Sequence, residues 1–383
     1  MSEFNDMLTT WRHDIHMHPE TCLEEVRTAA FVAQKLREFG IEVEEHVGKT
    51  GVVGTLKVGD GKKVIGLRAD MDANNINEQN DDLEYKSVNP GKMHGCGHDG
   101  HTISLLGAAK LLSERKNFSG TVRFIFQPGE EPGKGAQAMI DDGLLERFPM
   151  DAIYGLHNNP SYKKNTIRTR VGGFHASEDN FTIKIHGLGG HASAPNLLND
   201  AFMPAAQILM GLQTIVSRNA DPAQPVVLSC TELHMDGAHN AIPGNVVITG
   251  DARTFSHEMQ ALVEKRMREI CTNICAAYGA TCEFEYTHEF APTINNADCV
   301  HHMTESAAKI FGEENVLADV PPITGSEDFG KFLEYIPGAF AHYGTGEEGQ
   351  PNYPLHNPRY NYNDSMLETI AEYFAQLTCD RLK

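Results

Sequence analysis

The sequence predicts an α/β protein of two domains: a mixed-sheet α/β domain interrupted by a smaller, ferredoxin-like βαββαβ unit. Three observations carry this. The chain has 383 residues, enough for two to three domains. Up to Leu156, apolar strand-like runs alternate with helical stripes, the pattern of an α/β layer with buried strands. From residue 179 to 290 the order becomes strand, helix, strand, strand, helix, strand.

The elements follow in order. Val26, Ala29, Ala30, Val32, Ala33 and Leu36 form a helical stripe within Glu24–Phe39, with Gly40 as its stop. Strands are expected at Ile41–Val47, Val52–Val58 and Val64–Ala69, a helix at His101–Ser113, and a strand at Val122–Phe126. A short helix at Gly135–Asp142 and a strand at Ala152–Leu156 follow. The inserted unit reads as strand Phe181–Ile185, helix Ala201–Val216, strands Val226–Leu233 and Val246–Ala252, helix Glu258–Ala277 and strand Cys282–Tyr286. Helix and strand signals resume at Val300. The larger domain is therefore expected over 1–178 and 291–383, and the insertion over 179–290.

Composition narrows the function. Apolar residues make up 40% and charged residues 22%, as in ordinary globular proteins. The formal charge of −20 repels phosphate backbones and anionic lipid, so neither nucleic acid nor a membrane surface is expected as a partner. No run of eighteen apolar residues occurs, and Met1–Glu20 lacks the apolar core of a secretory signal. The eight cysteines include no Cys-x-x-Cys pair, which favours free thiols in a reducing cytoplasm. Nineteen histidines invite a search for metal ligands.

The strongest motif is His94-Gly95-Cys96-Gly97-His98-Asp99-Gly100-His101. A thiolate and an imidazole two residues apart suit zinc and other divalent transition metals, and the glycines let backbone bend around an ion. Asp99 is a candidate helix cap or ligand support. The second is Gln127-Pro128-Gly129-Glu130-Glu131 after an apolar strand, where α/β sheets place their ligands. Adjacent carboxylates repel unless a cation or proton relieves them. On its own this segment also reads as a solvated acidic turn. His157 ends another strand, and His356 sits in a late loop. Together Cys96, His98, Glu131, His157 and His356 suit two close metal ions with a bridging water, leaving Glu130 as general base. Asp70 and Asp72 end a strand at the same sheet edge, as ligand-orienting groups or as caps. In the insertion, the glycine-rich loop before His191 lacks the residues of a phosphate loop. Asn240 lies in a turn, and Arg253 at a strand end has the fork that grips a carboxylate.

These motifs, in this order, resemble the M20 metallopeptidases in their amidohydrolase branch, which holds hippurate hydrolases, aminoacylase-type enzymes and indole-acetyl-amino-acid hydrolases. The resemblance runs from Arg12-His13-Asp14-Ile15-His16-Met17-His18-Pro19-Glu20 to Leu355-His356-Asn357-Pro358. It includes Leu67-Arg68-Ala69-Asp70-Met71-Asp72-Ala73 and Gly325-Ser326-Glu327-Asp328-Phe329. It implies that Cys96, His98, Glu131, His157 and His356 hold two divalent ions (Mn, Zn, Co or Ni) and that Glu130 is the base. It further implies that His191 stabilises the oxyanion, often in a partner subunit's site, that Asn240 and Arg253 hold substrate, and that Asp72 supports a ligand. Asp70 occupies a slot that is a ligand histidine in other branches. His16 and His18 are expected to be structural. Where the branch usually reads Leu-Pro-Ile, this chain has Asn74-Asn75-Ile76, which predicts a more polar rim to the site.

The expected activity is hydrolysis of the amide bond of N-acyl amino acids, hippurate-like or N-acetyl. The rival readings are a dipeptidase or carboxypeptidase of the same family and a weakly catalytic metal-binding homologue; retention of Glu130 with all five ligands argues against the latter. A homodimer through the insertion is expected, because a ferredoxin-like sheet leaves edges to be covered.

Overall fold

The computed structural model describes residues 2–383, and contacts divide it into two compact units. Unit 1 comprises Met1–Phe174, Ile294–Pro321 and Asp328–Lys383. Its elements are α1 (Glu3–Met17), α2 (Val26–Glu38), β1 (Glu42–Val47), β2 (Gly51–Val58), β3 (Val64–Asp70), α3 (His98–Arg115), β4 (Gly120–Gln127), α4 (Gly135–Asp141) and β5 (Ala152–Lys163). Unit 2 carries β6 (Glu178–His186), α5 (Phe202–Thr214), β7 (Val227–Met235), β8 (Asn245–Arg253), α6 (His257–Ala277) and β9 (Thr281–Phe290). The chain then returns to unit 1 with α7 (Ala297–Phe311), β10 (Gly338–Gly346) and α8 (Leu367–Arg381).

The unit 1 sheet runs β1-β2-β4-β3-β5-β10, extended by the short strands Ile167–Arg168 and Val316–Leu317. β1–β2 and β2–β4 pair antiparallel, whereas β4–β3, β3–β5 and β5–β10 pair parallel. The parallel centre is buried on both faces, which is why Val64–Ala69 and Val122–Phe126 are apolar apart from Arg68 and Arg123. α3 is buried almost throughout and packs against α8, α1 and α2. β3, β4 and β5 run parallel toward one edge; Asp72 and Glu130-Glu131 follow the first two, and His157 lies within the third.

α1 has no counterpart among the expected elements. Ser2 caps it by accepting the Asn5 N–H, and Asn5, Leu8, Arg12, Ile15 and His16 form its buried stripe. Three of those five are polar, so apolar periodicity does not reveal the helix. Arg12 meets Asp99 at 3.0 Å, and His16 lies 2.8 Å from Asp99 and 3.2 Å from Glu78. Burial opposes charge on Asp99, but Arg12 and His16 outweigh it and hold the carboxyl far below the usual range.

Unit 2 has the strand order β7-β8-β6-β9 with every pair antiparallel, the ferredoxin-like arrangement. α5 and α6 pack over a core that includes Phe181, Ile183, Ile208, Leu212, Ile248, Val263 and Met267. The unit spans His175–Thr293 and also takes in Pro322–Glu327, which the sequence reading left in the larger domain. Ile323 bridges His175, and Arg253 reaches Ser326 and the Thr324 carbonyl. A six-residue segment recruited by such long-range bonds has no local pattern to announce it. Among the described residues no helix is long and apolar enough to cross a membrane.

Candidate active site

The loop Asn74–Gly97 delivers Cys96, and α3 opens on His98. Gly97 adopts φ +89°, and a Cβ there would lie 2.5 Å from Asn158 Oδ1 and 2.6 Å from the Tyr360 hydroxyl. Only glycine lets the backbone turn here and bring Cys96 and His98 to one point. Cys96 Sγ lies 3.4 Å from His157 Nε2; His157 is not at a strand end as expected but in the middle of β5, which continues to Lys163. Two overlapping groups have their ligand atoms within 4.8 Å of one another: Cys96, His98 and His157, and Cys96, Glu131 and His356. A third joins His98 to Glu130 and Glu131. All five expected ligand side chains thus converge, with Cys96 common to the first two sets. His356 reaches the site from a left-handed backbone, φ +63°, which a non-glycine residue adopts at a cost of order 1–3 kcal/mol.

The polar partners define what the nest lacks. His98 Nδ1 lies 2.9 Å from the Asp72 carbonyl and 3.2 Å from Asp72 Oδ1, so it donates to Asp72 and turns the Nε2 lone pair inward. His98 Nε2 is buried without a hydrogen-bond partner, 4.0 Å from Glu131 Oε1, which itself lies 3.3 Å from His356 Nε2. A buried ring nitrogen without a hydrogen-bond partner, set 4.0 Å from two carboxylates and among a thiol and two further imidazoles, belongs to a donor set that suits a divalent transition metal. The donor set fits such ions.

Titration preferences follow from the same geometry. Burial pushes the Cys96 thiol up, and Glu131 adds to this. Burial and neighbouring His101 push His157 well down, keeping it a neutral ligand. Burial disfavours charge on His98, but Asp70, Asp72 and Cys96 hold its pKa well above the ordinary value. Burial likewise opposes charge on Glu131, which His356 and His98 nonetheless keep below the usual carboxylate range. A cation bound by these donors would displace the protons they otherwise carry.

Glu130 is buried, with Oε2 4.0 Å from His98 Nε2. The Glu131 N–H donates to Asp72 Oδ2 at 3.0 Å, so one aspartate orients both His98 and the Glu130–Glu131 turn.

The chain belongs to the M20 family. The family model for peptidase family M20/M25/M40 matches residues 66–380. The chain is 42% identical to a hippurate hydrolase of Campylobacter jejuni over 97% of this chain and 96% of that protein. It is 38% identical to an N-acetylcysteine deacetylase of Bacillus subtilis over 98% and 96%, respectively. Among solved structures it resembles a dinuclear metal-binding peptidase of the M20 family from Bacillus subtilis, with a TM-score of 0.85, 34% identity and 98% and 97% coverage.

Within this M20 chain, several side chains beside the ligands went unassigned by sequence reasoning. His101 links Asp70 (Nδ1 to Oδ1, 2.6 Å) with Asn158 (Nε2 to Oδ1, 2.7 Å), and Asn158 donates to the Tyr360 hydroxyl. The signal was present: His101 lies three residues after His98 on one helix face, and Asn158 follows His157. Asp70 pairs with Arg68, which also meets Gln127 and Asp328. Asn74 is buried rather than at a polar rim: its Oδ1 accepts the Gly95 N–H at 3.0 Å. The asparagine that departs from the branch pattern therefore braces the Cys96 loop. His16 is buried in the network beneath α3, while His18 is half-buried against the Asp14 carbonyl.

The candidates in unit 2 are placed differently. His191 is exposed, on a two-residue strand where it pairs with Ala241, and Ser193 donates to its Nδ1. The Asn240 carbonyl accepts the Ala192 N–H, so Asn240 and His191 sit on one small ribbon. Arg253 stands apart, with Asp251 and Glu178 each 3.0 Å from its guanidinium.

Proposed function

We propose that this metal-dependent amidohydrolase of the M20 family hydrolyses the amide bond of N-acyl amino acids, through two divalent ions held by Cys96, His98, Glu131, His157 and His356. The observation that carries the reading is the convergence of these five side chains beside Glu130, with the unpartnered His98 Nε2 4.0 Å from both Glu130 and Glu131. The likeness over nearly full length to a hippurate hydrolase and an N-acetylcysteine deacetylase supports the substrate class.

When bound, such ions supply a Lewis acid for the carbonyl and a water of lowered pKa. Asp72 fixes the His98 tautomer and holds the Glu131 amide. Glu130 takes the proton of the attacking water and returns it to the departing amine nitrogen. His191, on its exposed ribbon, stabilises the oxyanion of the tetrahedral intermediate. Asn240, exposed beside it, and Arg253 hold the substrate's polar ends. Because the donors of Arg253 already meet Asp251, Glu178, Ser326 and Thr324, it takes a carboxylate only by exchanging a partner.

We also infer a homodimer through unit 2. β7 is an edge strand, and Leu233 and Met235 on it and Phe202, Met203 and Met210 on α5 are large apolar side chains left exposed. The cysteines, all free, fit a reducing cytoplasm.

A panel of N-acetyl, N-benzoyl and N-indoleacetyl amino acids, run beside free dipeptides with Mn, Zn, Co or Ni restored, tests the reading. Turnover is expected of the N-acyl compounds. Cleavage of dipeptides alone would favour a dipeptidase, and no cleavage of either would overturn the proposal.

A further inference from the structure

The turn that carries Glu130 is anchored on its other side by a carboxyl group outside every motif discussed above. Glu25, the residue before α2, is fully buried. Its Oε1 accepts the N–H of Leu23 at 2.9 Å and the N–H of Gly129 at 3.0 Å, and its Oε2 accepts the Thr50 hydroxyl at 2.6 Å. Gly129 is the residue immediately before Glu130.

The backbone at Gly129 needs such an anchor. It adopts φ +57°, and a Cβ on it would lie 3.0 Å from Cys22 Sγ, so the turn packs directly against the Cys22–Glu25 segment. Three carboxylates hold the stretch after β4: Glu25 takes the Gly129 N–H, Asp72 the Glu131 N–H and Asp328 the Ala136 N–H. Glu130 lies between the first two. Asp72 also touches a ligand histidine, so its loss would disturb metal binding as well. Glu25 touches none of the five ligands. An acceptor that fixes only the residue preceding a general base sets where that base's carboxylate can reach, and a displacement near 1 Å costs about 10²-fold in rate.

We propose that Glu25 is a positioning residue for proton transfer: through its bond to the Gly129 amide it holds Glu130 in reach of the attacking water, without contributing to metal or substrate affinity. Thr50 fixes the Glu25 carboxyl in turn. The inference rests on Glu130 being the base.

The test compares purified, metal-loaded Glu25→Ala, Glu25→Gln and Thr50→Val with wild type and Glu130→Gln, on whichever N-acyl amino acid wild type hydrolyses best. Glu25→Ala should lower kcat about 10- to 100-fold while KM stays within about twofold. Metal content should be unchanged, and amide hydrogen exchange across residues 128–131 should speed up. Glu25→Gln keeps an oxygen for the two N–H groups and should restore kcat to within about threefold of wild type. Wild-type kcat in Glu25→Ala, a kcat loss matched by metal loss, or a Glu25→Gln as impaired as Glu25→Ala would each overturn the proposal. Should Glu25→Ala fail to fold, Thr50→Val decides: a lower kcat with faster exchange at 128–131 supports the anchor, and wild-type values of both refute it. A wild type inactive on all N-acyl substrates, or a fully active Glu130→Gln, would instead remove the reading on which the inference rests.

Discussion

The two units of this chain treat their polar residues in opposite ways. In unit 1 the side chains at the candidate metal nest are mostly buried and interlocked: His98 on Asp72, Glu131 on Asp72 through its amide, Asp70 on Arg68 and His101. In unit 2 the residues expected to meet substrate are exposed or already engaged by neighbouring acids: His191 and Asn240 on a short ribbon, Arg253 between Asp251 and Glu178. Unit 1 therefore fixes its candidate ligand side chains through their own polar partners, which lowers the ordering cost of binding. Unit 2 offers groups whose roles depend on what they encounter.

That contrast can be broken experimentally, and the largest effect belongs to unit 1. Removing metal with a chelator should abolish hydrolysis, by more than about 10³-fold, and restoring Mn, Zn, Co or Ni should recover it. Full activity of metal-free protein, verified by elemental analysis, would end the metal-centred reading. Next comes unit 2. His191→Ala should lose about 10²-fold in kcat with both metals retained, the cost of one oxyanion donor. If His191 serves a partner's site, mixing His191→Ala with Glu130→Gln chains should restore partial activity. No recovery after demonstrated subunit exchange would confine His191 to its own chain or deny it a part.

Cys96→Ser should weaken metal affinity by at least about tenfold, since a hydroxyl is a poorer ligand than a thiolate, with activity partly recovered at high metal. Unchanged stoichiometry and affinity would take Cys96 out of the ligand set. The smallest effect on activity concerns stability. Burial pushes the Glu25 carboxyl up to about 7 from an ordinary 4.5, against the pull of Thr50. The folded state thus keeps a proton that the unfolded chain has released. Its contribution is fully present below pH 4.5 and is lost as pH rises through about 7. Relative to Glu25→Gln, wild type should lose up to about 3 kcal/mol of unfolding free energy across that window, measured by denaturant melts at several pH values. A difference that stays flat with pH would show that Glu25 titrates normally.

How legible all this was in the sequence depended on where the physical cause lay. Residues whose chemistry is unusual for their setting stood out: a Cys and a His among glycines, paired glutamates at a strand end. The αβ alternation and the βαββαβ order were readable because each element buries a continuous apolar face. The helix α1 escaped because Asn5, Arg12 and His16 fill three of the five positions of its buried stripe, and the partners of Arg12 and His16, Asp99 and Glu78, lie far along the chain. Glu25 escaped for the same reason: nothing near it in sequence shows that its carboxyl will meet Gly129. Asn75 is exposed, but Asn74 is buried because its side chain meets the Gly95 N–H and Glu131, long-range bonds that spacing does not reveal. Long-range polar pairing, not apolar pattern, is what remained hidden.

The central claim is that a nest built from five side chains of unit 1 positions Glu130 as the base for amide hydrolysis. Glu130→Gln tests it most directly, because the substitution preserves shape and removes only proton acceptance. With metal content by elemental analysis and substrate affinity by titration both at wild-type values, kcat should fall about 10²–10⁴-fold. Near-normal turnover with the metals still bound would contradict the account.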